Sequence, residues 1–169
     1  MAYKVNVESI AEDVPDIIQK HILKRLESYD FPYVSTVPNK NGLRTVFQEY
    51  FEKRRGFSWL KSAVTLLVTS KRGIVPIAMT ETNRLHTGGL ADFLLSKNVE
   101  KCKTIHSYGN VSIAGSCIKH IHEKELDVET VLKNSFPQNS AGLNADIPMI
   151  PQHPNCRHVM APIDDSVLN

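Results

Sequence analysis

The chain has 169 residues, of which 41% are hydrophobic and 22% charged, with a formal net charge of +2. This composition excludes a chain that is disordered throughout, because it holds enough apolar surface to offset the entropy lost on ordering. The small charge does not indicate nucleic-acid binding, no apolar run approaches the ~20 residues of a membrane span, and no secretion signal follows Met1. We therefore expect one domain, or one domain with an extended arm, made in a cytoplasm and without membrane attachment.

Helical patterns dominate residues 1–73. Ser9 and Glu12 have the spacing of a capping box, which predicts a helix start, and apolar residues follow at helical intervals from 17 to 29. The segment 59–70 fits a helix slightly better than a strand. A clear amphipathic helix is predicted where apolar residues fall at i, i+3, i+4, i+7 and i+8, namely at Leu43, Val46, Phe47, Tyr50 and Phe51.

A long helix is predicted from 76 to about 96, and it contains the run Thr-Glu-Thr-Asn-Arg at 80–84. Two glycines follow at 88–89. Each glycine inside a helix costs about 1 kcal/mol relative to alanine, so the pair indicates either a kink or a point of close packing. Glu81 and Arg84 are expected to form a local ion pair or a packing contact, not a catalytic pair.

Short strands are predicted beyond this helix. Residues 101–108 alternate as a strand does, and the Gly-Asn pair at 109–110 suits a hairpin turn into 111–114. Asp127 is expected to cap a short helix, and 135–152 has the composition of a long connection. The predicted fold class is therefore α+β, with a helical N-terminal half followed by a small β-hairpin and loop region.

Potential metal ligands are concentrated near the C-terminus, since all three cysteines and five of the seven histidines lie after residue 100. Cys117 and His120 form one group, and His153, Cys156 and His158 form a second group further along the chain. Thiolate and imidazole donors in two such groups suit the closed tetrahedral coordination of structural zinc. Such a site would order a region with few large apolar residues, because structural zinc contributes about 10 kcal/mol.

A simpler interpretation is that these side chains only pack in the core or lie on the surface, as isolated cysteines and histidines usually do. Three cysteines do not make a disulfide scaffold. Cys102, inside the predicted strand, is expected to be an ordinary buried cysteine. His21, His86 and His106 have no partner in the sequence and are expected not to bind metal.

The second ligand group carries a resemblance to a known family. The run His-Pro-Asn-Cys-Arg-His at 153–158, followed by Ala-Pro-Ile at 161–163, resembles the closing motif of the phage Mu F-type head-morphogenesis proteins. These are the minor head, or minor capsid, proteins of tailed bacteriophages. Residues 80–83 are similar to a Thr-Glu-containing helix of the family, and Cys117 and His120 stand where the family commonly has two cysteines. The resemblance covers about residues 74–163.

The predicted organisation is a helical region at 1–73, which matches the family only as generic helices, followed by a Mu F-like minor head domain at 74–169, for which the resemblance implies a structural zinc. By analogy, the zinc ligands are Cys117, His120, His153 and Cys156, with His158 in reserve or in contact with a ligand. The implied function is that of a non-enzymatic, low-copy virion protein. Such a protein contacts the portal or the major capsid protein inside the head and assists head morphogenesis or DNA delivery.

Two other functions fit parts of the sequence. Glu123 and Glu125, near His122, suit a metal-dependent nuclease of the His/Cys type, although no general base beside an open metal position can be named. Basic runs at 53–55 (Lys-Arg-Arg) and 71–72 (Lys-Arg) suit a virion protein that makes weak contact with packaged DNA.

Overall fold

The structure, a computed structural model, describes residues 3–31, 40–67, 73–106, 113–136, 147–152 and 156–169. These ranges contain seven α-helices, a three-stranded antiparallel sheet and a C-terminal 3-10 helix, so the predicted α+β class is confirmed. The helices are α1 (Ile10–Asp13), α2 (Asp16–Leu26), α3 (Lys40–Glu52), α4 (Phe57–Thr65), α5 (Ile74–Ser96), α6 (Gly115–His120) and α7 (Val128–Ser135). The strands are β1 (Lys101–His106), β2 (Glu125–Asp127) and β3 (His158–Pro162). None of the described helices has both the length and the apolar character that crossing a bilayer requires.

Helix α5 is the centre of the fold. Every residue from Ala78 to Ala91 is buried, and α2, α4, α7 and β3 all pack against this helix. A helix covered on every side belongs in the interior, and here that interior includes polar side chains as well as apolar ones. The predicted long helix is confirmed. Helix α5 begins at Ile74, and the hydrophobic core contains residues from both sides of this position.

The two glycines of α5 mark a point of close packing against α2. A Cβ atom added at Gly89 would lie 2.5 Å from Cγ1 and 2.8 Å from the backbone nitrogen of Ile22. At Gly88, the added atom would overlap the side chain of Arg25. Arg25 uses the space to donate two hydrogen bonds, of 2.8 and 2.7 Å, to the carboxylate of Asp92. Of the two alternatives, close packing is the correct one.

The N-terminal half is helical, as predicted. The amphipathic helix corresponds to α3, where four of the five predicted apolar residues are buried. The ambiguous segment forms α4 as far as Thr65, and its last part, at 68–70, lies outside the described residues. Ser9 precedes α1, but its hydroxyl donates to the carboxylate of Asp13 and does not cap a backbone N–H.

The sheet differs from the predicted hairpin in its pairing. Strand β1 lies in the middle, with β2 on one side and β3 on the other. Ile113 and Ala114, which the hairpin would place in a strand, are not in one, while its turn and residues 111–112 lie outside the described part. Lys103 is the last residue of β1 that pairs with β2. The next residue, Thr104, donates from its hydroxyl to the carbonyl of Ile121 at 2.7 Å. This hydrogen bond joins β1 to the segment that precedes β2.

Candidate metal centre

Three side chains from two distant segments meet in the interior. The ligand atoms of Cys117, Cys156 and His158 all lie within 4.8 Å of one another. The two sulfurs are 3.8 Å apart, and Nδ1 of His158 is 3.8 Å from the sulfur of Cys156. With metal–sulfur bonds of about 2.3 Å and tetrahedral angles, two thiolates sit about 3.8 Å apart on one zinc ion. The group could therefore hold a metal ion.

Strand geometry explains why Cys156 and His158 point to the same place. Side chains alternate between the two faces of an extended chain, so residues two apart share a face. Arg157, between them, points elsewhere and donates to the carboxylate of Glu8 at 3.2 Å. Because β3 pairs with β1 along its whole length, the sheet fixes the direction of His158, the first residue of β3, and Cys156 precedes the strand by two residues.

Helix α6 supplies the third ligand. Cys117 lies in the middle of this short helix and is 1% exposed. Its carbonyl accepts hydrogen bonds from the backbone N–H groups of Ile121 and His122, at 2.8 and 2.7 Å. These two bonds close the last turn and start the chain reversal that leads to β2. The site therefore lies where α6 meets the start of β3.

Asn83 connects the site to the centre of the fold. Its side chain is fully buried on α5, and its amide nitrogen donates to the carbonyl of His158 at 2.8 Å and to that of Cys156 at 3.4 Å. A buried asparagine in the middle of a helix must find partners, since an unsatisfied amide is costly in the interior. Here its partners are the backbones of two of the three potential ligands.

The surroundings of Cys117 favour its protonated thiol in the absence of a metal. The hydrogen bond with the sulfur of Cys156 raises the pKa of Cys117, and burial raises it further. A bound cation would favour the thiolates and release these protons. Cys102, the third cysteine, lies in β1 outside the group and is fully buried, as predicted, and burial raises its pKa to about 12.

The other predicted ligands are placed differently. His120 ends α6 and does not belong to the group, and its Nε2 is buried with no hydrogen-bond partner in the described part of the chain. Cys117 and His120, the first predicted ligand group, both lie on α6, and of the two only Cys117 belongs to the group. His158, expected in reserve, is the imidazole that joins the two sulfurs. His153 lies outside the described residues.

Two further histidines surround His158. Nδ1 of His122 lies 2.9 Å from Nε2 of His158, and the ring of His106 has its centroid 4.7 Å from that of His158. Neither contact was predicted from the sequence. The signal that could reveal the contact with His106 is the strand register, in which His106 pairs directly with His158, but β3 was not predicted from the sequence.

Glu81 and Arg84 lie in the interior of α5, and both are 0% exposed. Burial first, and then the charge of Glu81, raises the pKa of Tyr29 well above its usual range, while the charge of Arg84 acts in the opposite direction. The three side chains are therefore neighbours in the core. That Glu81 and Arg84 are not a catalytic pair stays a prediction.

The basic run at 53–55 makes contacts within the chain. Arg54 donates to the carbonyl of Val14 at 2.7 Å and to the carboxylate of Asp16 at 2.5 Å. Lys53 and Arg55 both reach the carboxylate of Glu49. The second basic run, at 71–72, lies outside the described residues.

No protein-family model, no curated protein and no solved structure matches this chain. What the fold and the site define is therefore a class: an α+β protein with a buried group of two thiols and an imidazole that could hold a metal ion.

Proposed function

We propose that this chain is a non-enzymatic minor head protein of a tailed bacteriophage. It would be present in few copies at the portal vertex or inside the head, contact the portal or the major capsid protein, and assist head morphogenesis or DNA delivery. The proposal starts from the resemblance of residues 74–163 to the Mu F-type head-morphogenesis proteins.

One observation supports that resemblance most strongly. The three segments that carry it are far apart in sequence, yet they meet at one place in the fold. Asn83, from the Thr-Glu-Thr-Asn run, donates to the carbonyls of Cys156 and His158, from the closing motif. The sulfur of Cys117, from the middle segment, is 3.8 Å from the sulfur of Cys156. A chance similarity of three short motifs gives no reason for this convergence.

The proposed metal is zinc, and its proposed role is structural. Two thiolates and an imidazole are the donors that zinc favours, and they suit magnesium or calcium poorly. The three side chains are at most 2% exposed, which suits a closed site more than an open catalytic one. His153, three residues before Cys156, is the proposed fourth ligand. The bound ion would tie α6 to β3.

Capture of head proteins tests the assembly role. The tagged chain would be co-expressed with the portal and major capsid proteins of the same genome, and purified virions would be quantified by mass spectrometry. We expect one of the two proteins to be retained and the chain to be present in few copies per virion. Retention of neither, together with absence from virions, would reject the head role. Zinc content, measured on the same preparation, would show whether the metal site is intact. Failure of the head role and loss of the metal site can then be told apart.

The nuclease and DNA-binding alternatives have direct assays. A hydrolytic metal needs an open coordination position that water can reach, and the three donors here are buried. We expect no nicking of supercoiled DNA with Zn²⁺, Mg²⁺ or Mn²⁺, and no DNA affinity that falls with salt as phosphate contacts require. Nicking that disappears in Cys156→Ser would overturn the non-enzymatic proposal.

A further inference from the structure

We infer that His122 is a positioning residue of the metal site: it fixes the proton of His158 on Nε2, so that His158 binds the ion through Nδ1. This inference rests on the proposed metal site. It adds the atom of His158 that would bind the ion and the hydrogen bond that directs that atom.

The two nitrogens of the His158 ring face different neighbours. Nδ1 lies 3.8 Å from the sulfur of Cys156, whereas Nε2 lies 2.9 Å from Nδ1 of His122. A ring nitrogen binds a metal only through its lone pair, so the nitrogen on the side of the sulfurs must carry no proton. The proton of the neutral ring is then on Nε2. From there it is donated to His122.

The same reasoning assigns the proton of His122. Its Nδ1 accepts from His158 and therefore carries no proton, so the proton of the neutral His122 ring is on Nε2. That Nε2 lies 3.8 Å from the carboxylate of Glu123. The order from metal to solvent is thus ion, His158, His122, Glu123. With these assignments each neutral ring carries one proton, on Nε2, and neither ring needs a second proton.

The backbone holds His122 in this place. Its N–H donates at 2.7 Å to the carbonyl of Cys117, so His122 is bonded to one potential ligand by its backbone and to another by its ring. Glu123, the next residue, has a φ of 53°, the left-handed conformation that a non-glycine residue adopts only at some cost. This turn ends the helical region and sends the chain on to β2.

His122 is not itself a ligand of the same ion in this arrangement. It contacts the edge of the His158 ring that faces away from Cys156. The side chain of Glu123 is 85% exposed and its contact is long, so its effect is small beside that of His122. The main effect is therefore expected from the hydrogen bond between the two histidines.

Zinc affinity, measured by competition with a chromophoric chelator, tests the inference in three variants. His122→Ala removes the acceptor and should weaken zinc binding about 10- to 100-fold, the usual effect of losing a hydrogen bond to a metal-binding histidine. His122→Asn should restore most of the affinity, because its side-chain oxygen replaces Nδ1. His21→Ala, the matched control, alters a histidine that contacts Phe93 outside the group and should bind zinc like the wild type.

A second measurement reports the binding atom directly. Long-range ¹H–¹⁵N spectra of the zinc-loaded, ¹⁵N-labelled protein should show His158 with a protonated Nε2 and a metal-bound Nδ1. Binding through Nε2, or unchanged affinity in His122→Ala, would overturn the inference while the zinc site stands. A wild type that takes up no zinc would overturn the site and the inference together.

Discussion

Single buried polar residues determine where the potential ligands sit. Asn83 is the strongest example, because one side-chain amide bonds the carbonyls of both Cys156 and His158. The ligands are then held before any ion binds, and the ion does not have to order them.

Replacing Asn83 with alanine should therefore affect stability and metal binding together. We expect the free energy of unfolding to fall by about 1–3 kcal/mol, the cost of leaving buried carbonyls without a donor, and zinc affinity to fall with it. Chemical denaturation and chelator competition measure the two effects.

The matched control for this experiment is Asn134→Ala. Asn134 also donates from its side chain to a backbone carbonyl, that of Pro148, at 2.7 Å, but it anchors a different segment. It should lose stability and keep its zinc affinity. If both variants bind zinc equally well, Asn83 has only a general structural role.

His86 should make stability depend on pH. It is fully buried, its Nε2 contacts the hydroxyl of Tyr3 at 2.6 Å, and burial lowers its pKa from 6.5 to about 3. Between these values the unfolded chain binds a proton that the folded protein does not. The unfolding free energy should therefore fall as the pH is lowered from 6.5 towards 3, by at most about 1.4 kcal/mol per pH unit.

Denaturation curves across this pH range, for the wild type and His86→Gln, measure that contribution. Subtracting the curve of His86→Gln from that of the wild type removes the effect of acid on the metal site, because both proteins share that effect. Ile18→Val, a core variant that loses about 1 kcal/mol, should shift the curve without changing its slope. If the unfolding free energy of His86→Gln depends on pH with the same slope as that of the wild type, His86 is not the source of this pH dependence.

The kinds of residue in the site could be predicted from the sequence, but their arrangement could not. The spacing of thiols and imidazoles pointed to Cys117, His120, His153 and Cys156, with His158 in reserve, and the structure brings together Cys117, Cys156 and His158. The roles of Asn83 and His122 depend on contacts with β3, and no local pattern carries that information. His120, predicted as a ligand, lies at the end of α6 and does not belong to the group.

At the scale of secondary structure, the packing of α2 on α5 depends on Gly89. Gly89→Ala would place a methyl group against the backbone of Ile22, which cannot move aside as a flexible side chain can. We expect a loss of about 3 kcal/mol, at the upper end for overpacking, measured by denaturant unfolding.

The control for this prediction is Gly115→Ala, at the start of α6. A Cβ atom there would meet nothing within 4 Å. Because alanine also favours the helix, this variant should stay within about 1 kcal/mol of the wild type or gain slightly. Equal stability of Gly89→Ala and the wild type would contradict the close-packing account.

The helices could be predicted because their apolar residues repeat at helical spacing, as in α3, or continue over a long run, as in α5. The strands were harder. β2 has three residues, too few for a pattern, and all five residues of β3 are buried, so no alternation is visible. The hairpin predicted for 101–114 paired the first strand with the nearest apolar segment in the sequence. In the structure, β1 pairs with β2 and β3, which lie further along the chain.

At the scale of the whole molecule, the proposed zinc is a crosslink. Cys117 and Cys156 are 39 positions apart, so an ion bound to both would restrict a long loop of the unfolded chain and secure β3 to the core. The sheet and Asn83 already place β3 there. The metal adds stability to an arrangement that the core defines.

The most direct measurement is the zinc content of tag-free protein by plasma mass spectrometry, in the wild type, Cys117→Ser, Cys156→Ser and Cys102→Ser. The account predicts one zinc per chain in the wild type and in Cys102→Ser, which alters a buried cysteine outside the group. It predicts loss of zinc in the other two variants. A folded wild type without metal, or zinc retained in both Cys117→Ser and Cys156→Ser, would contradict it.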